Sequence, residues 1–171
     1  MLARSLPGES RGVKWFVMLV LVGCAPGAGA VRRADDPAVL RAHVTADHAA
    51  IKAVLDAQVA AWNRGDLAGY MEGYAKSDAL VFTSGGNIRR GWQHAFDHYQ
   101  ARYAKDRTAM GTLGFEILSI DAVGADGAVV LGNWILTGSP SDGRGVYSVV
   151  LERRPEGWRI VHDHTSSSSP P

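Results

Sequence analysis

The most constraining stretch of the chain is its last patterned segment, Trp158-Arg159-Ile160-Val161-His162-Asp163-His164-Thr165-Ser166. An aromatic and β-branched residues open it, which suits a pleated strand. Three ionisable groups in a row follow. Strand side chains alternate between faces, so Trp158, Ile160, His162 and His164 are expected on one face and Arg159, Val161, Asp163 and Thr165 on the other. Two imidazoles thus continue the row of a tryptophan and an isoleucine that read as core. They are either the polar lining of a pocket or a strand end in water. The same alternation points Asp163 away from both imidazoles, which argues against an Asp–His dyad between neighbours.

Such a strand needs a sheet to join and helices to cover it. Val44, His48, Ile51, Val54, Leu55, Val59 and Trp62 recur at spacings of three and four, the period of a helix over about 45–63. Thr45 or Asp47 can cap its start, Gly65 supplies a left-handed stop, and Asp66 caps a second, short helix. That helix carries Leu67, Tyr70, Met71 and Tyr74 on one stripe. Residues 79–84 read as a strand, Gly85-Gly86 as a turn and 87–90 as a short return. A third helix over about 91–107 places Trp92, Phe96, Tyr99 and Tyr103 together. Three longer strands follow over about 111–123, 128–138 and 145–154. Asp126-Gly127 marks a hairpin, Ser139–Gly143 a longer loop, and Glu156-Gly157 the turn into the opening strand. This order predicts an α+β fold, with about three helices on the concave face of a curved, cone-shaped antiparallel sheet.

Composition bounds the rest. A chain of 171 residues, 46% hydrophobic and 20% charged, has enough apolar sequence for one globular domain with a short appendage. The net charge of +1, with Arg32-Arg33, Arg89-Arg90 and Arg153-Arg154 scattered among acidic neighbours, lacks a nucleic-acid footprint, so no nucleic acid is expected as partner. At the start, Arg4, Arg11 and Lys14 precede an apolar run from Trp15 to Val22, far below the roughly 20 residues that span a bilayer. The run ends at Leu21-Val22-Gly23-Cys24, which resembles the bacterial lipobox, and Cys24 is the one cysteine. Residues 1–23 are therefore expected to be a lipoprotein signal peptide, with Cys24 lipidated. That would make the membrane a partner and hold the protein in the bacterial cell envelope. Cleavage after Ala30 would instead give a secreted protein. Without residues 1–23 the net charge becomes −1. Residues 24–44 read as a flexible tether, 45–166 as the domain and 167–171 as a disordered tail.

Several short motifs in the right order carry a resemblance. They are Ala60-Ala61-Trp62-Asn63-Arg64-Gly65-Asp66, Tyr74-Ala75-Lys76-Ser77-Asp78-Ala79, the Gly91-Trp92 helix start, Gly132-Asn133-Trp134-Ile135-Leu136-Thr137-Gly138 and the ending Trp158–Ser166. Together, over about 46–166, they resemble the SnoaL-like, nuclear-transport-factor-2-like superfamily. The ending is also similar to the association domain of calcium/calmodulin-dependent protein kinase II. The resemblance implies a cavity between helices and sheet and, often, a homodimer through the sheet's outer face. It does not imply one function, since this fold hosts isomerases, hydrolases, cyclases and binding modules. Ketosteroid isomerases of this fold place a catalytic Asp in the first strand, and overlaying that segment puts Thr83 there. A threonine hydroxyl cannot replace a carboxylate base near neutral pH. The Asp-Arg-Asp set of limonene-epoxide-hydrolase-like members has no equivalent on these strands.

The residues then offer His162 and His164 as general base, proton shuttle or metal ligands, because imidazole titrates near neutrality. No third convergent ligand is identifiable, so no metal is expected. His94 and His98 lie roughly 160–200° round the third helix from its aromatic stripe and are expected in solvent. Gly85-Gly86 and Gly143-Arg144-Gly145 are turn glycines, and no cofactor is expected. Asn133, Tyr147 and Ser148 are possible polar partners inside. The reading is an envelope-anchored domain binding a small amphipathic or hydrophobic ligand without catalysis. Its pocket is expected to draw on Trp62, Tyr70, Tyr74, Trp92, Tyr99, Asn133, His162 and His164. The alternatives are a small enzyme of isomerase, hydrolase or cyclase type, with His164 or His162 as general base, and an oligomerisation module.

Overall fold

The computed structural model describes residues 36–168, without the side chains of 37–43 and Arg107. The signal segment, Cys24, most of the tether and the last three residues lie outside the described residues. The elements are α1 (Pro37–Asn63), α2 (Leu67–Met71), β1 (Val81–Ser84), β2 (Asn87–Arg90), α3 (Trp92–Tyr103), a 3-10 turn (Arg107–Met110), β3 (Thr112–Val123), β4 (Gly127–Thr137), β5 (Gly143–Arg154) and β6 (Gly157–Ser167).

Helix α1 starts at Pro37, so the stretch 37–44 assigned to the tether is helical. Proline suits a first helical position, where its missing N–H would have no partner in any case. The periodic face goes inward as expected: Ile51, Leu55 and Trp62 are buried, and Gln58 among them donates from Nε2 to the Tyr70 carbonyl at 3.1 Å. Gly65 ends the helix at φ 75°, and the Asp66 carboxylate accepts the Gly69 N–H at 2.8 Å to cap α2. Helix α3 stops at Tyr103, short of the expected 107, because Asp106 captures the Thr108 N–H at 2.9 Å and starts the 3-10 turn. No helix among the described residues is long and apolar enough to cross a membrane.

The six strands run in the order β2-β1-β6-β5-β4-β3. The meander β3–β4–β5–β6 is antiparallel, but β1 joins β6 in parallel, pairing Val81 with His162 and Thr83 with His164. The sheet is therefore mixed rather than antiparallel throughout, because the late strand β6 inserts beside the early β1. The helices cover one face, with Val130, Leu151 and Ile160 at the sheet side of the core. On the other face Leu131, Ile135 and Val146 stay 40%, 50% and 44% exposed.

Two irregularities re-aim side chains. In β3 the register slips between Ile117 and Ser119. In β6, Ile160 pairs with Leu151 while His162 pairs with Val150, which leaves Val161 as an unpaired extra residue, a β-bulge. The bulge falls where the parallel neighbour of β6 changes. Below it, Ile160 exchanges backbone bonds with Gly73 and Ala75 (2.9 and 2.8 Å), and above it β1 takes over.

Candidate functional site

Between the helices and the inner face of the sheet lies a cavity of about 430 Å³. Its walls follow from the aromatic stripes of the helices. Trp62 of α1 meets Tyr70 edge-on with centroids 5.1 Å apart and Tyr103 likewise at 5.1 Å, while Tyr70 meets Tyr99 at 5.4 Å. Edge-to-face contacts set positive ring edges against negative ring faces, so the cluster fixes its own geometry. The Trp62 indole N–H is satisfied by the Met110 carbonyl at 3.0 Å.

The bulge at Val161 decides what the sheet contributes. Trp158 and Ile160 point inward as alternation requires, but the extra residue reverses the parity beyond it. Asp163 and Thr165 therefore line the cavity, while His162 and His164 turn to the outer face. The carboxyl of Asp163 is buried, at 4% exposure. The Tyr74 hydroxyl donates to its Oδ2 at 2.7 Å, and the Tyr70 hydroxyl lies 3.3 Å from that of Tyr74. Its Oδ1 has no protein partner. Nearby, Tyr147 lays its ring across Gly132, where a Cβ would come within 2.5 Å of the phenol oxygen. The Tyr147 hydroxyl is also buried without a partner.

Electrostatics follow from this burial. Loss of hydration pushes the Asp163 carboxyl from 3.8 up to about 7, against the opposing pull of the Tyr74 hydrogen bond. Burial, reinforced by the Asp163 charge, pushes Tyr70 and Tyr147 up to about 12 and Tyr74 well above its ordinary value. The floor thus holds one carboxyl that exchanges its proton near neutral pH, among hydroxyls that stay protonated there. At the mouth the polarity changes. Arg89 from β2 and His98 and Arg102 from α3 line the opening with Ser84 and Ser141. Partial burial lowers the pKa of His98, and the positive charges of Arg89 and Arg102 lower it further.

Of the residues expected to form the pocket, Trp62, Tyr70, Tyr74 and Tyr99 meet there. Trp92 does not, because its indole N–H is tied to the Met71 carbonyl at 3.0 Å and its ring lies against Phe96. Asn133 belongs to the outer face, where it donates to Glu116 at 2.8 Å. The expectation of His162 and His164 as pocket lining and candidate bases does not hold, for the parity reason above. The same register corrects the view of Thr83 as the residue at the position of a base. Thr83 pairs with the outward His164, and the inward residues of β1 are Phe82 and Ser84. The first strand still offers no carboxylate, and the cavity takes one from the strand beside it, since Phe82 and Asp163 are register partners. His98 reaches the mouth although the helical wheel sends it to solvent, whereas His94 is exposed. No group of three or more metal-ligating side chains occurs among the described residues.

Comparison with known proteins agrees with this architecture. The SnoaL-like domain model matches residues 51–170. An NTF-2 like protein of unknown function from Shewanella oneidensis is 34% identical, with 70% of this chain and 98% of that one covered and a TM-score of 0.67. A domain of unknown function with a cystatin-like fold from Nostoc punctiforme is 24% identical, covering 74% and 80%, with a TM-score of 0.60. A ketosteroid isomerase-like protein from Erwinia carotovora shares the fold at 22% identity, covering 71% and 96%, with a TM-score of 0.55. No curated protein matches significantly. The chain belongs to the SnoaL-like domain family.

Proposed function

We propose that this SnoaL-like domain binds a small, ring-bearing amphipathic molecule in its cavity. One observation carries the reading: inside an aromatic-walled space of about 430 Å³, the Asp163 Oδ1 and the Tyr147 hydroxyl are buried with no protein partner. A buried polar atom left unbonded costs about 1–3 kcal/mol, and a ligand that bonds both atoms recovers it. The apolar walls take the body of the ligand and these two atoms its polar end. Protein-observed NMR with a library of fused-ring alcohols and ketones tests this. Binders should shift the signals of Trp62, Tyr70, Tyr74 and Tyr99 together and weaken when Asp163→Leu removes the acceptor. Binders that perturb only other surfaces would refute the site.

A second reading adds chemistry, and a different observation favours it. A carboxyl titrating near 7 exchanges protons efficiently at neutral pH. In this reading Asp163 Oδ1 takes a proton from carbon beside a bound carbonyl and returns it elsewhere, while Tyr147 hydrogen-bonds the developing oxyanion. Asp163, not His162 or His164, is then the base. Exchange of solvent deuterium into a bound ketone, lost in Asp163→Asn, tests it; unchanged exchange in that variant excludes Asp163.

We also propose that a lipid on Cys24 holds the domain at the cell envelope, an idea that rests on the sequence before residue 36. Incorporation of labelled palmitate that survives Cys24→Ser would end it. The apolar side chains on the outer face, Leu131, Ile135 and Val146, support pairing of two copies through the sheet. Light scattering that shows a monomer at micromolar concentration would remove the pairing and the oligomerisation role together.

A further inference from the structure

The two ends of the cavity differ in charge. This asymmetry narrows the ligand class, resting on the reading of the cavity as a binding site. The floor is the place of Asp163, the single carboxylate among the lining residues. At the mouth, three basic side chains converge from two elements: Arg89 from the return strand of the first hairpin, and His98 and Arg102 one turn apart on α3. Neither Arg89 nor Arg102 forms an ion pair among the described residues, although six other pairs are made. Arg102 is aimed by neutral contacts: its Nη2 donates to the Ser141 hydroxyl at 2.7 Å, and its guanidinium lies 5.3 Å from the centroid of Tyr103. Those contacts leave further N–H donors of the fork unused, and guanidinium is suited to a planar, two-oxygen anion. Like charges held together without a counter-ion repel each other, and the lowered pKa of His98 reflects that repulsion.

We infer that the cavity takes an amphipathic organic anion: a carboxylate or similar group held at the mouth by Arg89 and Arg102, a ring body between the tyrosines, and an uncharged hydroxyl or carbonyl tip at Asp163 and Tyr147. A ligand charged at both ends is disfavoured, because the floor protonates its own carboxyl near neutrality rather than holding a full negative charge. A ligand neutral at both ends leaves the mouth uncompensated. The polarity also fixes orientation: the tip enters first, and the anionic group stays at the rim, where it keeps part of its hydration.

Two probes of the same shape test this by isothermal titration at pH 7: 6-hydroxy-2-naphthoate, which carries both ends, and 2-naphthol, which carries the tip alone. The naphthoate should bind the wild-type protein about tenfold or more tightly than the naphthol, the effect of one charge-assisted contact. In Arg89→Gln/Arg102→Gln that advantage should vanish while the naphthol affinity stays the same. Raising the salt should weaken only the naphthoate. The melting temperature of the double variant should match the wild type, since neither arginine holds an ion pair. Equal binding of the two probes, or an advantage that survives in the double variant, overturns the anion proposal and leaves the cavity as a neutral site. No binding of either probe at millimolar concentration refutes the cavity as a site for ring compounds, and this proposal with it.

Discussion

Replacing Asp163 by Asn gives the sharpest test of the site, because the buried carboxyl leaves a pH signature in the stability of the whole domain. Its pKa is about 7 in the folded state against 3.8 when exposed. An acid whose pKa is raised on folding holds its proton more tightly in the folded state. The unfolded state therefore gains more from ionisation, and stability falls as pH rises from the unfolded value through the folded one. The difference between the two values corresponds to about 4 kcal/mol in all, of which about 3 kcal/mol is lost between pH 5 and pH 8. Asparagine cannot ionise and can still accept from Tyr74 through its side-chain oxygen. Urea unfolding at several pH values should therefore show the wild type losing stability over this window relative to Asp163→Asn. The variant should be the more stable protein at pH 8. Subtracting one from the other cancels every other titrating group, including His98 with its opposite shift. Parallel stability curves for the two proteins would mean that Asp163 is hydrated in the folded state, and the closed floor would be refuted.

Three further outcomes follow from the same geometry. Tyr74→Phe removes the one hydrogen bond that holds the Asp163 carboxylate, so the carboxyl should titrate still higher, as seen by carbon NMR, and the domain should lose about 1–3 kcal/mol in urea unfolding. Deleting Val161 abolishes the bulge and forces either the core pair Trp158 and Ile160 or the cavity group Asp163 onto the wrong face. Circular dichroism should show loss of cooperative thermal unfolding, and a stable, well-folded deletion variant would disprove the parity argument. Gly132→Ala drives a methyl group against Tyr147 and should cost about 1–3 kcal/mol by denaturant unfolding, with the phenol displaced from the floor.

Much of this architecture is legible in the residues. The spacing of Ile51, Leu55 and Trp62 and the stripe of Tyr70, Met71 and Tyr74 encode two helices by apolar period alone, and the structure buries those side chains. Asp126-Gly127 and Glu156-Gly157 mark turns because few other pairs tolerate the backbone they need. The identity of the polar floor was not legible. Alternation assigns faces only while every residue has a partner across the ladder, and Val161 is an ordinary strand residue with no mark of a bulge. A single unpaired position exchanged the roles of two histidines and an aspartate. The same shift separates Thr83 from the cavity. Asn133 sits in a strand that is apolar on both faces, with Val130 and Trp134 on one and Leu131 and Ile135 on the other, so period gives no direction there. Trp92 and His98 depend on where the mouth of the cavity opens along α3, which is a matter of tertiary contact rather than sequence.

The parallel join of β1 with β6 also has a kinetic side. The hydrogen bond between Tyr74 and Asp163 links residues 89 positions apart, whereas β3, β4 and β5 pair through short connections. The meander can close early, but the site cannot exist until β6 docks between it and the helical half. Ordering so long a loop before any contact rewards it slows folding. Until that docking occurs, β1 and β5 each present an open edge to other chains. Protein concentration during refolding should therefore set the yield, and the first species able to hold a ligand in the cavity should be the last one to form.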